Sequence, residues 1–222
     1  MPKRIWRQLA ATIEGRIFMA GIALALAYIF WLAASSIFIP EKGQLFIAMT
    51  ATHMLFGRVA GLSFGYTVGL GNGVVIPISM VIETIIVLLF YPLFVVSWHQ
   101  LIVFERLQRF LGQVSEAADR HVVTIKRYGL IGLFIFVWFP LWMTGPLVGS
   151  IIGFLIGLSS VTNVLVVLVA TYLAITGWAL FLRELHGKVA MYSPYAPMVL
   201  FLIILIIGAA GYFMHKRGRD AH

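Results

Sequence analysis

The feature that most constrains this chain is a set of long apolar runs with almost no charge in them. Ile17 to Ile39 is a charge-free run of 23 residues that stops at Pro40. About 20 apolar residues suffice to cross the hydrocarbon core of a bilayer, so this run predicts a membrane span. Val74 to Trp98, Val161 to Leu182 and Pro194 to Met214 predict three more. With 61% hydrophobic and 11% charged residues and a mean hydropathy of +0.99, the chain has too little polar surface for a water-soluble domain. In a bilayer only helices and closed barrels satisfy their own backbone groups, and runs of this length are helical. The expected fold class is all-α.

Between these runs lie two stretches that do not read as simple spans. From Gly57 a glycine recurs at every fourth residue, at Gly61, Gly65, Gly69 and Gly73, and the device returns at Gly145, Gly149, Gly153 and Gly157. Residues four apart share a helix face, so each ladder predicts a nearly bare stripe where backbones approach closely. The ladders start 88 residues apart (145 against 57) and each runs into a span, which predicts a duplicated unit. Residues 44–73 split into Gln44 to Phe56 and Arg58 to Leu70, each about 20 Å long as a helix and short of the ~30 Å core. Residues 128–157 are interrupted by Pro140 and Pro146, which a straight helix does not accommodate. Both stretches predict re-entrant hairpins. Trp138 and Trp142, beside the second tip, read as packing.

Charge counting selects the topology. If both stretches turn back, the N-terminus, residues 99–127 and the C-terminal tail share one side with twelve Lys and Arg, against three opposite. If both cross fully, the count is seven against eight. The positive-inside rule favours the hairpins and places both termini in the cytoplasm, in the inner membrane. Residues 99–127 have apolar positions at helical spacing with Glu105, Arg106, Arg109 and Glu116 opposite, an amphipathic interfacial helix or a solvated connector. Arg183 to Lys188 reads as a small polar loop and Pro40 to Gly43 as a turn. The first apolar run is too long for a signal-peptide core, so no cleaved leader is expected. The result is a polytopic integral membrane protein with four full transmembrane helices and two hairpins in inverted repeats, a plan that recurs in transporters.

Few residues carry candidate chemistry. Of the charged residues only Arg58 and Glu83 fall at membrane depth, where an ionised side chain is expensive and usually pairs or lines a wet path. His53 is near them, five residues before Arg58, so a joint site needs a bend between the two. The substrate or ion pathway is expected to comprise His53, Arg58 and Glu83, with the amides of Thr144 and Gly145 at the start of a half-helix facing an anion. A structural Arg58–Glu83 pair sealing the bundle is the alternative. Asn72 and Asn163 are weaker candidates that cap helices equally well.

Gly61-Leu-Ser63-Phe-Gly65 fits the GxSxG pattern of serine hydrolases, but both glycines belong to the ladder and no strand precedes it, so an enzyme is not expected. Without cysteine, and with six scattered histidines, neither metal nor cofactor is predicted. The net charge of +8 comes from bases beside apolar spans, so the expected partners are membrane lipids and not nucleic acid. A homo-oligomer or partner membrane subunits are also compatible.

Arg127-Tyr-Gly-Leu-Ile-Gly-Leu-Phe134, then Pro140, Thr144-Gly145, Gly149 and Gly157-Leu158, resembles the C-terminal hairpin of the small multidrug export family, a relative of the DedA/VTT-type membrane proteins. The resemblance implies two re-entrant hairpins and a transport role, with lipid-phosphate carriers translocated in the wider superfamily. The N-terminal hairpin departs from that family's pattern: Phe56-Gly57 precede Arg58 where an acidic residue is usual, and no proline follows closely. The expected function is therefore transport of a small or lipid-linked, anionic substrate, proton-coupled through Glu83. A non-catalytic structural subunit of a larger membrane complex is the alternative. The topology is testable because the chain has no cysteine: a Ser115→Cys variant is expected to resist an impermeant maleimide outside sealed cells and to react once they are opened.

Overall fold

The computed structural model describes residues 12–98, 129–138, 145–191, 199, 201–204 and 206. Among these residues the regular structure is entirely helical. The helices are α1 (Ile13–Phe38), α2 (Pro40–Phe56), α3 (Arg58–Thr67), α4 (Asn72–Trp98), α5 (Gly129–Trp138), α6 (Gly145–Leu155) and α7 (Ser160–Ala190). Three of them, α1, α4 and α7, are long and apolar enough to cross a membrane. The chain divides into two compact units. One contains Met1–Phe30, Glu83–Phe139 and Thr144–Leu173, and the other Trp31–Ile82, Pro140–Met143 and Ala174–His222. Both α4 and α7 contribute one half to each. Residues 99–127, most of 194–214 and Thr144 lie outside the described residues.

In the second unit the chain doubles back twice. A single residue, Ile39, separates α1 from α2, and Pro40 opens α2 where its missing N–H is of no consequence. The segment read as a turn, Pro40 to Gly43, is thus the first turn of a helix. Trp31 stacks on Phe46 with ring centroids 5.2 Å apart, and a Cβ at Gly43 would lie 2.5 Å from the Ser36 backbone, so α2 returns along the end of α1. The second reversal is at Gly57, with φ 82° and ψ 177°. Around it contacts pair off symmetrically. Gly61 lies under His53, each four residues from the hinge, and Gly65 faces Met49, each eight away. Helices α2 and α3 therefore form a helical hairpin.

α3 ends in a Schellman motif: Gly69 has φ 79°, its N–H bonds the Tyr66 carbonyl at 3.1 Å, and the Leu70 N–H reaches the Gly65 carbonyl at 2.8 Å. The end of α6, in the other unit, repeats this bond for bond. Gly157 has φ 87°, its N–H bonds Phe154 at 2.9 Å, and Leu158 bonds Gly153 at 3.0 Å. Each donor and acceptor is displaced by 88 residues (157 against 69, 158 against 70). Packing repeats at the same offset, since Gly65 is pressed by Val75 and Gly153 by Asn163. α4 and α7 also begin 88 residues apart, at Asn72 and Ser160. Within the first unit the Thr84 and Tyr172 hydroxyls, again 88 apart, share a 2.6 Å hydrogen bond. The two long helices thus touch at equivalent positions.

The core of the first unit joins Val87, Tyr91 and Phe94 of α4 to Leu133 and Val137 of α5, Ile151 and Ile152 of α6, and Val164 and Val167 of α7. Helix α5 leans on α6 so closely that a Cβ at Gly149 would overlap the Val137 side chain. Ser159 caps α7, accepting the Thr162 N–H at 3.3 Å. The Ser160 hydroxyl donates to the Glu14 carboxylate at 2.7 Å and ties α7 to the start of α1.

Two further expectations change. Each glycine ladder is not one continuous stripe, because α3 stops at Thr67 and α6 at Leu155. Gly61, Gly65, Gly149 and Gly153 allow close approach, whereas Gly57, Gly69 and Gly157 supply positive φ, which an L side chain resists. Residues 183–188 are not a loop, since α7 runs through them to Ala190. Arg, Glu, Leu and Lys are good helix formers, Arg183, Glu184 and Lys188 are exposed, and Glu184 precedes Lys188 by one favourable i,i+4 spacing. Replacing Gly153 by Ala is expected to destabilise the protein by about 1–3 kcal/mol through overlap with Asn163. Gly73→Ala meets nothing within 4 Å and is expected to be neutral or stabilising, both read by thermal unfolding in detergent.

Candidate functional site

The hinge of the α2–α3 hairpin gathers two of the residues singled out in the sequence. His53 lies one turn before Gly57 on α2 and is 2% exposed, and Arg58 follows Gly57 as the first residue of α3 at 4%. The bend that a joint site required is Gly57 itself. A cation at a helix N-terminus opposes the macrodipole, so Arg58 is not there to stabilise α3. Glu83 is also buried, at 7%, but belongs to the first unit, as does Gly145, the buried first residue of α6.

A second polar cluster in the same unit as His53 and Arg58 was not legible in sequence. His186, near the end of α7, is buried and its Nε2 lies 3.1 Å from Ser63 Oγ, 3.1 Å from the Ser63 carbonyl and 3.4 Å from Thr67 Oγ1. The Thr67 hydroxyl donates to that same carbonyl at 2.9 Å. Tyr66 sets its ring edge-on to the imidazole at 6.2 Å and donates its hydroxyl to Asn72 Oδ1 at 3.0 Å. Ser63 and His186 are 123 residues apart, and His186 fell in the stretch read as a loop, so no periodicity linked them.

This contact puts a base beside the serine of the GxSxG stretch, and the rest of the geometry still opposes hydrolysis. Ser63 lies inside α3, whose N–H groups at that point are engaged in helical hydrogen bonds, so no pair of amides is free to hold an oxyanion. It is also fully buried. Asn72 accepts from Tyr66, and Asn163 donates its amide to the Ser150 carbonyl while filling the space beside Gly153. Both act between helices, beyond simple capping. Among the described residues no three His, Asp or Glu side chains cluster as metal ligands.

With this geometry in view, the profile of the family described as "Putative small multi-drug export protein" matches residues 58–176, more than half of the chain. The chain belongs to this family. No curated protein and no solved structure matches it. The match begins at Arg58 and ends within α7, taking in both Schellman turns, Ser63 and Glu83, with His53 and His186 beyond its ends. Family membership and the three long apolar helices make this a helical membrane protein of export type, which suggests a non-enzyme. A serine-directed fluorophosphonate probe is therefore expected to leave Ser63 unlabelled in the folded protein. Labelling that disappears in Ser63→Ala would restore the hydrolase reading.

Proposed function

We propose that this chain exports a small or lipid-linked anionic substrate across the inner membrane, with both termini cytoplasmic. In this reading α2–α3 and α5–α6 are re-entrant arms, residues 194–214 form a fourth span, and the 88-residue units are inverted copies. Such a plan recurs in transporters, in keeping with the resemblance to DedA/VTT-type proteins. Arg58, buried at the hinge of one arm, supplies the positive charge for the substrate, with His53 beside the same hinge. The amides at Thr144 and Gly145 serve the other arm, and Glu83 carries the coupling proton.

The observation that supports this reading best is the burial of Arg58 at a glycine hinge, in a chain whose family is of export type. A guanidinium at membrane depth is costly, and such a residue usually pairs or lines a wet path, the second of which fits a chain of export type. Its position at the turn between two helices lets a small rotation at Gly57 move it. Purified protein in sealed proteoliposomes is the test, with efflux of anionic amphiphiles followed by fluorescence. Arg58→Gln is expected to lower flux at least about tenfold, the order of one lost charge-assisted contact, with the yield of folded protein retained. Glu83→Gln is expected to abolish the response to a pH gradient. Undiminished flux in Arg58→Gln, or stoichiometric co-purification with other subunits and no flux, overturns the proposal.

A further inference from the structure

The Ser63–Thr67–His186 cluster has an internal logic that identifies a ligand. Three oxygens face His186 Nε2, and at least two can only accept. The Ser63 carbonyl has no proton, and the Thr67 hydroxyl has already given its own to that carbonyl. A neutral imidazole has one N–H, and this surrounding holds it on Nε2, with Ser63 Oγ free to accept as well. The basic lone pair is then on Nδ1. That atom is buried and has no hydrogen-bond partner among the described residues. A buried acceptor left without a donor is costly, and side chains so placed usually have a task.

We propose that His186 Nδ1 is a proton-binding site, and that its occupancy sets how firmly the end of α7 holds α3. A proton needs no cavity, and on Nδ1 it turns an acceptor without a donor into an N–H donor that only water or a rearranged neighbour can satisfy. The titratable group facing the ring from α3 is Tyr66, whose hydroxyl is engaged with Asn72. On its own helix Arg183, Glu184 and Lys188 are exposed. No carboxylate among these contacts the ring, so a bound proton leaves an imidazolium that is 5% exposed and poorly compensated. Charging the ring therefore favours a state in which it gains water, and the α3–α7 contact loosens. Because α3 is the arm that hinges at Gly57, proton occupancy and movement of Arg58 are linked through one short helix. The proton site stands on the geometry alone, and only its coupling to flux rests on the export reading.

The test uses the full-length chain, labelled with ¹⁵N in its histidine rings and held in lipid nanodiscs. Acidified from about pH 8 to about pH 5, the range in which histidine ordinarily titrates, one ring is expected to start as the neutral Nε2–H tautomer and become imidazolium. That signal is expected to be missing in His186→Gln, whose amide still donates to the Ser63 carbonyl but binds no proton. Ser63→Ala is expected to shift the same signal and keep the titration, which assigns it even where His186→Gln does not fold. A His186 ring that stays neutral across the range, or that starts as the Nδ1–H tautomer, overturns the site. In proteoliposomes with the same pH on both sides, parent flux is expected to change between about pH 8 and about pH 5, and His186→Gln is expected to keep the flux at pH 8 and lose that change. Flux with an unchanged acid response removes the coupling and leaves export standing. Absence of any flux in the parent chain removes export, while the ring titration still decides the proton site.

Discussion

Everything in this architecture depends on hydrogen-bonding the backbone without help from water. An apolar chain that reverses direction exposes the last carbonyls of one helix and the first amides of the next, and lipid offers them nothing. The chain resolves this at Gly69 and Gly157 with the same pair of bonds, closing the end of α3 on Tyr66 and Gly65, and the end of α6 on Phe154 and Gly153. Positive φ at the two glycines makes both closures possible. Residues at matched positions, Val75 and Asn163, then lean on Gly65 and Gly153, so the turn and the packing behind it are one device used twice.

Glycine consequently does two different jobs along a single four-residue rhythm. At Gly61, Gly65, Gly149 and Gly153 the missing side chain lets a neighbouring helix come within reach of the backbone. At Gly57, Gly69 and Gly157 the conformation itself is required. Gly57 differs from the other two in joining helices with only one residue, and this makes it a hinge with a buried cation at its edge.

Polar side chains mark where these helices are held to one another. Thr84 and Tyr172 fasten α4 to α7 at equivalent positions, Ser160 ties α7 to Glu14 of α1, and His186 sits on Ser63 and Thr67. With lipid as apolar as the side chains, such bonds and close glycine contacts supply the specificity that a hydrophobic core supplies in water. The outward faces are correspondingly plain. Leu26, Phe30, Ile37 and Phe38 of α1 are largely exposed and suit a lipid environment.

The sequence by itself determined the helical class, the long apolar helices, the glycine positions and the 88-residue repeat. These follow from run length and period, which express local backbone hydrogen bonding and need no knowledge of neighbours. Tertiary structure alone decided which glycines pack and which turn, that α7 continues through Arg183 to Lys188, and that His186 meets Ser63. Such contacts depend on the rotation and register of helices distant in the chain. Many arrangements satisfy the same periodicity, and only simultaneous packing of all the faces selects one.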